Sequence, residues 1–171
     1  QLLEVRGVGD YRRLATTIDD AAGEAFDKAA KLLGLPYPGG PAIEALAADG
    51  DPKSVPLPRP LVGSGEPHFS FAGLKSAVQR VVATGKHRPE DIAASFQQAI
   101  VDCMVDRTAL ALQGSDAPTL VVAGGVAANR ALRSALAQLA EDNGRAFSVP
   151  PAWLCTDNAA MIGWAGAERL A

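Results

Sequence analysis

The sequence has few of the residues that cross-link small proteins or that hold metal ions. Its 171 residues include only two cysteines and two histidines. Cys103 and Cys155 form no CxxC pair, and His68 and His87 fit neither an HxxH nor an HxxxH spacing. The sequence therefore predicts neither a disulfide scaffold nor a complete metal site within this chain. This cysteine usage is typical of a reducing compartment, so we expect a cytoplasmic protein.

Long apolar runs and a strong positive charge are also missing. No stretch approaches the roughly 18 apolar residues that a membrane span requires, and no charged and then apolar leader is present, so we expect a soluble chain with no membrane partner. The net charge of −3 at pH 7 argues against an extended electrostatic footprint for nucleic acid. The chain starts at Gln1 without a methionine and enters a strand-like run, which predicts a piece of a longer protein.

Composition and apolar periodicity together predict an α/β fold. Aromatic residues make up 5% of the chain, and hydrophobic ones, dominated by alanine and leucine, make up 48%, which favours helices on a small sheet over a β-sandwich. The periodicity then predicts a hairpin, six helices and two later strands. The hairpin is predicted from the extended segments 2–6 and 11–18, and the later strands are predicted at 119–123 and 146–149. The first helix is predicted to end at Gly34 and the second to start at Pro41. The other helices are predicted at 71–82, 89–112 and 127–142 and from Asp157 onwards.

Three finer features of these elements are predicted as well. Thr17 and Asp20 fit the [ST]-x-x-[DE] capping box, so we expect them to cap the first helix. The uninterrupted apolar run 119–123 is typical of a strand covered on both faces, so we expect a central strand. Thr156 or Asp157 is expected to cap the last helix.

The segment VVAGGVAANR, 121–130, leaves two interpretations open. Gly124 and Gly125 lie where a strand passes into a helix, so free backbone amides and a positive helix end could hold a ligand there. The segment contains neither GxGxxG nor GK[ST], so a plain structural turn explains it as well. Asn129, on the first turn of the expected helix, could bind a ligand or cap the local backbone.

Other polar residues have a structural explanation beside a functional one. Asp157 could cap a helix or face a metal ion or a phosphate, and Asp27 could pair on the surface with the lysine four residues later. Asp102 and Asp106 share a helix face, which is more typical of a solvated surface than of acid–base catalysis. Cys155 has no histidine nearby in sequence and is expected to be a buried filler.

Four segments in order resemble one family. IDDAAGEAFDKAAKLLGLPYPGGP, FSFAGLK, VVAGGVAANR and CTDNAAM together are similar to the tRNA threonylcarbamoyladenosine transferases of the TsaD type, formerly labelled glycoproteases. The match runs over residues 17–162 and covers about the C-terminal half of a family member. It implies a two-lobed, actin-like ATPase fold of the sugar kinase, Hsp70 and actin superfamily, with RNase H-like topology in each lobe. Residues 1–171 would be the C-terminal lobe, and the N-terminal lobe would be absent from this chain.

The resemblance also implies a reaction and the residues that bind its substrate. The family transfers the threonylcarbamoyl group from threonylcarbamoyl-adenylate to N6 of the adenosine beside the anticodon in tRNAs that read ANN codons. The residues that match its adenylate-binding positions are Asp27, Gly40, Glu44, Gly124, Gly125 and Asn129. Asp27 and Glu44 would face the ribose, and the carboxylate at Glu44 matches the archaeal and eukaryotic form of the family.

A metal ion and further subunits are implied in the same way. Asp157 resembles the single carboxylate ligand of one divalent ion, iron or zinc, whose two histidine ligands lie in an HxxxH motif of the N-terminal lobe. That ion would polarise the carbamoyl carbonyl while the cleft positions the attacking amine, and no general base is assigned in this half. The expected partners are tRNA and, in a bacterial complex, TsaB-type and TsaE-type subunits.

Three alternatives differ from this interpretation. A nucleotide-dependent kinase of the same superfamily would need ATP-specific phosphate loops upstream. A peptidase, the historical label, would need a nucleophile, a base and an orienting group that the sequence does not offer. A non-catalytic paralogue that only binds partner subunits has no need of Asp27, Gly40, Asn129 and Asp157 together. With one lobe missing, we expect the fragment alone to bind adenylate weakly and to transfer nothing.

Overall fold

A computed structural model describes residues 1–155 and 158–170, and it places six α-helices and four β-strands in them. In chain order these are β1 Leu2–Gly7, β2 Asp10–Ala15, α1 Ala22–Leu32, α2 Gly39–Ala47, α3 Ala72–Thr84, α4 Pro89–Gln113, β3 Thr119–Val121, α5 Arg130–Asp142, β4 Ala146–Ser148 and α6 Ala159–Leu170. Short 3₁₀ turns at Gly125–Ala128 and Ala152–Leu154 precede α5 and α6. The predicted α/β class and the predicted order of elements are confirmed.

The four strands form two separate two-stranded sheets. β1 and β2 pair antiparallel, as the predicted hairpin requires, and β3 and β4 pair parallel with Leu120 opposite Phe147. The prediction of a central strand covered on both faces is wrong for the described chain. Leu132 and Leu136 of α5 pack on the Leu120 side only, so Val121, on the opposite face, is 60% exposed.

The start of α1 differs from the predicted capping box. The helix begins after Ala21, which makes no side-chain capping bond. The Thr17 hydroxyl instead donates to the Asp20 carbonyl oxygen over 2.7 Å, and the Asp20 carboxylate pairs with Lys28 at 2.7 Å. The prediction that Thr17 and Asp20 cap α1 is therefore wrong, because the Thr17 side chain closes a turn ahead of the helix. The predicted end is confirmed, since Gly34 follows the helix in the left-handed conformation with φ of 70°.

The segment just before α1 is tied to the start of α3 through Asp19. Its carboxylate accepts hydrogen bonds from the backbone amides of Phe71 at 2.7 Å and Ala72 at 3.2 Å, and from the Ser70 hydroxyl at 2.5 Å. Burial raises the pKa of Asp19, but these donors outweigh it and hold the pKa below its usual value. Asp19 therefore anchors α3 beside the chain that leads into α1.

The main core lies between α1, α2, α3 and α4. Phe26 of α1 meets Phe96 of α4 edge to face, with ring centroids 5.3 Å apart. A smaller cluster joins Val101 of α4 to Leu132 and Leu136 of α5. Helix α4 therefore supports both α1 and α5, the two helices that flank the candidate site.

Helix α6 differs from the others because none of its described side chains is buried. In the part of the chain that the structure describes, no helix combines the length and the apolar character that crossing a bilayer requires.

Candidate functional site

Two neighbouring cavities lie where α1 meets the 3₁₀ turn before α5. The first, which we call the carboxylate cavity, has a volume of about 280 Å³. Five of the six residues predicted to bind adenylate line it: Asp27, Gly40, Glu44, Gly125 and Asn129. The second, which we call the strand cavity, has a volume of about 370 Å³ and contains the sixth, Gly124. The two cavities share Gly23, Gly125 and Val126 as a common wall.

Asp27 lies on α1 and caps the neighbouring helix α2. Its Oδ1 accepts a hydrogen bond from the backbone amide of Gly39, the first residue of α2, over 2.8 Å. This contact, and not a surface pair with Lys31, fixes the Asp27 side chain. Within the described part of the chain the other carboxylate oxygen accepts no hydrogen bond, so it can accept one from a ligand in the cavity.

Glu44 likewise caps the start of another helix, α5. It lies on α2, and its Oε1 accepts from both the backbone amide and the Nε of Arg130, each at 2.9 Å. Arg130 is the first residue of α5, so a carboxylate lies at the positive end of each of the two helices, where it is stabilised. The Oε2 of Glu44 has no hydrogen-bond donor among the described residues.

The two glycines at the start of α2 have different roles. A Cβ on Gly39 would lie 2.6 Å from the Asp27 Cα, so only glycine lets α2 approach α1 this closely. A Cβ on Gly40 would meet nothing within 4 Å. Packing therefore requires Gly39, which the sequence analysis did not select, whereas Gly40 leaves open space in the carboxylate cavity.

Gly124 and Gly125 form the turn between β3 and α5. Gly124 has φ of 86° and ψ of 174°, a conformation that is open almost only to glycine. At neither position would a Cβ meet another atom within 4 Å. The two glycines thus serve as a turn and also leave space at the common wall of the cavities.

Asn129 caps α5 instead of lying on its first turn. The predicted helix 127–142 begins at Arg130 because the 3₁₀ turn Gly125–Ala128 comes first. The Oδ1 of Asn129 accepts from the Leu132 amide at 2.9 Å, and its Nδ2 donates to the Gln97 Oε1 at 2.7 Å. The capping alternative is thus observed, while Asn129, only 7% exposed, also lines the carboxylate cavity.

Three residues at or behind this cavity were not predicted from the sequence. Tyr37, which is 85% exposed, lines the cavity beside Pro38. Its only sequence signal was an aromatic residue inside a turn of prolines and glycines. Arg130 and Gln97 gave no signal, because each is defined by a partner far away in the sequence.

The predicted metal ligand Asp157, with Thr156, lies outside the described residues. Asn158 caps α6, its Oδ1 accepting from the Met161 amide at 2.9 Å. Among the described residues, no group of three or more His, Cys, Asp or Glu side chains could hold a metal ion. They therefore supply no complete metal site.

The remaining candidates have structural roles. Asp102 pairs with Arg59 at 2.9 Å, which ties the segment before α3 to α4. Asp106 pairs with its neighbour on the same helix, the buried Arg107, which also donates to the Glu66 carbonyl oxygen. Burial raises the pKa of Cys103 to about 11, which leaves its thiol protonated and a poor nucleophile near neutral pH. Cys155 is buried, as predicted.

These features define a class of protein: an α/β protein whose cavity combines two anchored carboxylates, open glycine backbone and an exposed aromatic ring, a set suited to a polar ligand with a flat ring. The sequence model of the family described as TsaD, tRNA N6-adenosine threonylcarbamoyltransferase, matches residues 1–164. The chain belongs to this family.

Curated relatives with the name tRNA N6-adenosine threonylcarbamoyltransferase agree with this assignment. The protein from Sphingopyxis alaskensis is 72% identical over the whole chain, which covers 50% of that protein. The one from Novosphingobium aromaticivorans is 70% identical, with 100% of the chain and 49% of the relative covered. The one from Zymomonas mobilis is 59% identical over 99% of the chain. The chain thus spans about half the length of the relatives it matches.

Proposed function

We propose that the whole protein moves the threonylcarbamoyl group from threonylcarbamoyl-adenylate to N6 of the adenosine beside the anticodon in tRNAs that read ANN codons. In this proposal the present chain supplies the surface that binds the adenylate. The observation that carries it is the meeting of Asp27, Gly40, Glu44, Gly125 and Asn129 around one cavity. The name of the relatives states a threonylcarbamoyl transfer to N6 of an adenosine in tRNA.

The chemistry of the carboxylate cavity suits a nucleoside. Asp27 and Glu44 each have one carboxylate oxygen that accepts no hydrogen bond within the described chain, and ionised carboxylates accept strongly from ribose hydroxyls. Gly40 would let the sugar approach the backbone closely. Tyr37 and Val126 would offer an apolar surface to the purine ring. In this arrangement the chain binds and orients the donor and supplies no nucleophile.

The metal, the partners and the location belong to the same proposal. Asp157 would supply one carboxylate ligand to a single iron or zinc ion, with two histidines from the other half of the protein. When bound, such an ion supplies Lewis acidity towards the carbamoyl carbonyl. The partners would be tRNA and, in bacteria, TsaB-type and TsaE-type subunits, and the setting would be the cytoplasm.

A direct assay tests the proposed activity. The full-length protein, with TsaB-type and TsaE-type subunits, is mixed with threonylcarbamoyl-adenylate and an ANN-reading tRNA. The tRNA is then digested to nucleosides, whose masses are measured by mass spectrometry. We expect a threonylcarbamoyl mass increment on one adenosine, and none on a matched tRNA with guanosine at that position. Unmodified adenosine in the complete mixture would overturn the proposal. Phosphorylation of an added substrate by ATP would instead favour the kinase alternative.

We also propose that the chain is the C-terminal lobe of a two-lobed, actin-like protein with RNase H-like topology, in which a strand from the rest of the protein lies between β1 and β3. The strand cavity supports this, because it is lined by Leu2 at the start of β1 and by Leu120 and Val121 of β3. A strand there would join the two small sheets into one and pair with the open edge of β3.

The hydrogen bonds of β3 show which of its edges is open. The Pro118 carbonyl and the Val122 amide both face β4. Because backbone groups alternate in direction along a strand, the amide of Val121 points to the opposite edge, which has no strand neighbour in the described chain. Open strand edges are templates for pairing with another strand.

Amide hydrogen exchange in the full-length protein tests this strand. We expect the Val121 amide to exchange on the order of 100-fold more slowly than an unprotected amide, because pairing with the inserted strand shields it. The Val122 amide, which already donates to Ser148, is protected in either case and serves as the internal control. Fast exchange at Val121 beside slow exchange at Val122, followed by NMR, would contradict the inserted strand.

A further inference from the structure

We propose that Gln97, on α4, is a positioning residue that orients the Asn129 amide towards the ligand. This inference rests on the proposed function, since it concerns how the adenylate cavity is prepared. Gln97 does not line the carboxylate cavity. It reaches that cavity only through the 2.7 Å hydrogen bond between its Oε1 and the Nδ2 of Asn129.

The orientation of the Asn129 amide is determined by its partners. The backbone amide of Leu132 can only donate, so the atom that faces it at 2.9 Å must be the Asn129 oxygen. The Asn129 nitrogen then faces Gln97, which must present its own oxygen. Amide orientations follow from such networks, and here a backbone donor removes the ambiguity for both side chains.

This network leaves Asn129 with a defined remaining capacity. One N–H of Nδ2 and one lone pair of Oδ1 are not used by Gln97 or Leu132. Asn129 lines the carboxylate cavity, so this donor and this acceptor can serve a ligand there. Without Gln97, only the Leu132 contact holds the amide, and its nitrogen loses the partner that fixes its direction.

A purely structural role for Gln97, joining α4 to α5, makes a different prediction. The two helices are already held together by Val101 packed against Leu132 and Leu136. If Gln97 served only this junction, its loss would lower stability and leave ligand affinity per folded molecule unchanged.

Adenosine binding by the full-length protein, measured by calorimetry, separates these roles. Gln97→Met keeps the size of the side chain and removes the acceptor, and we expect it to raise the Kd for adenosine about tenfold. Gln97→Glu restores an acceptor for Nδ2 and should return the Kd to within about twofold of wild type. Gln98→Met is the matched control, because Gln98 donates to Asp102 at 2.7 Å, and its Kd should be unchanged.

Each outcome decides the inference. A tenfold loss in Gln97→Met with rescue by Gln97→Glu supports it. Adenosine binding by Gln97→Met within twofold of wild type, or an equal loss in Gln97→Met and Gln98→Met, overturns the inference and leaves the proposed function standing. Failure of the wild-type protein to bind adenosine overturns both.

Discussion

Replacing Gly39 with alanine is expected to lower the free energy of unfolding by about 1–3 kcal/mol, the range found when a packed interior is overfilled. The added Cβ would lie 2.6 Å from the Asp27 Cα and 2.8 Å from both the Ala30 Cβ and the Phe26 carbonyl oxygen. Two of these three atoms belong to backbone, so no side-chain rotation can relieve the contacts. Helix α2 would have to move away from α1, which would also stretch the hydrogen bond from the Gly39 amide to Asp27.

Urea unfolding of the full-length protein measures this effect, and the adjacent glycine supplies the control. Gly40→Ala adds the same methyl group to the same helix, where it meets nothing within 4 Å. Since alanine is the better helix residue, we expect Gly40→Ala to change stability by less than about 1 kcal/mol, in the stabilising direction. Equal losses in the two variants would show that the close approach of the helices is not what Gly39 provides.

Replacing Asp27 with alanine is expected to weaken adenosine binding about 100-fold. The reason is the loss of the proposed charge-assisted hydrogen bond to a ribose hydroxyl, worth roughly 1.5–3 kcal/mol, together with the cap that holds the start of α2 at the cavity. Calorimetry with the full-length protein gives the Kd. A Kd within threefold of wild type would remove Asp27 from the binding site.

Asp27→Asn separates binding from folding. The asparagine Oδ1 can still accept from the Gly39 amide, so the free energy of unfolding should stay within about 0.5 kcal/mol of wild type. The lost charge should still weaken adenosine binding about tenfold. Asp20→Asn is the control, because the Asp20 carboxylate pairs with Lys28 and does not line the carboxylate cavity. Its Kd should equal that of wild type.

Much of the fold could be predicted because it depends on local sequence. The hairpin, the long helix α4 and the end of α1 at Gly34 follow from alternation, from apolar spacing and from one glycine in the left-handed conformation. The central strand could not be predicted correctly. The run 119–123 shows that the strand is apolar, but which of its faces is covered depends on where α5 packs.

In the candidate site, too, some residues could be predicted from the sequence and others depend on contacts between distant parts of the chain. The resemblance selected Asp27, Gly40 and Glu44, and the structure places them together with Gly125 and Asn129. No local pattern could have shown that Glu44 caps a helix 86 positions later, because that contact exists only once the fold brings Glu44 to the start of α5. The predicted capping box shows the same limit. The spacing of Thr17 and Asp20 predicted a cap on α1, whereas in the structure Asp19 caps α3, more than 50 residues later.

The capping bonds of Asp27 and Glu44 also have an entropic consequence. A carboxylate side chain that is free to rotate loses torsional entropy when a ligand immobilises it, at a cost of about 0.5–1.5 kcal/mol for each side chain. In this protein the Gly39 and Arg130 amides immobilise both side chains when the chain folds. If the cavity binds the adenylate as proposed, its two carboxylates are therefore already in place before the ligand enters.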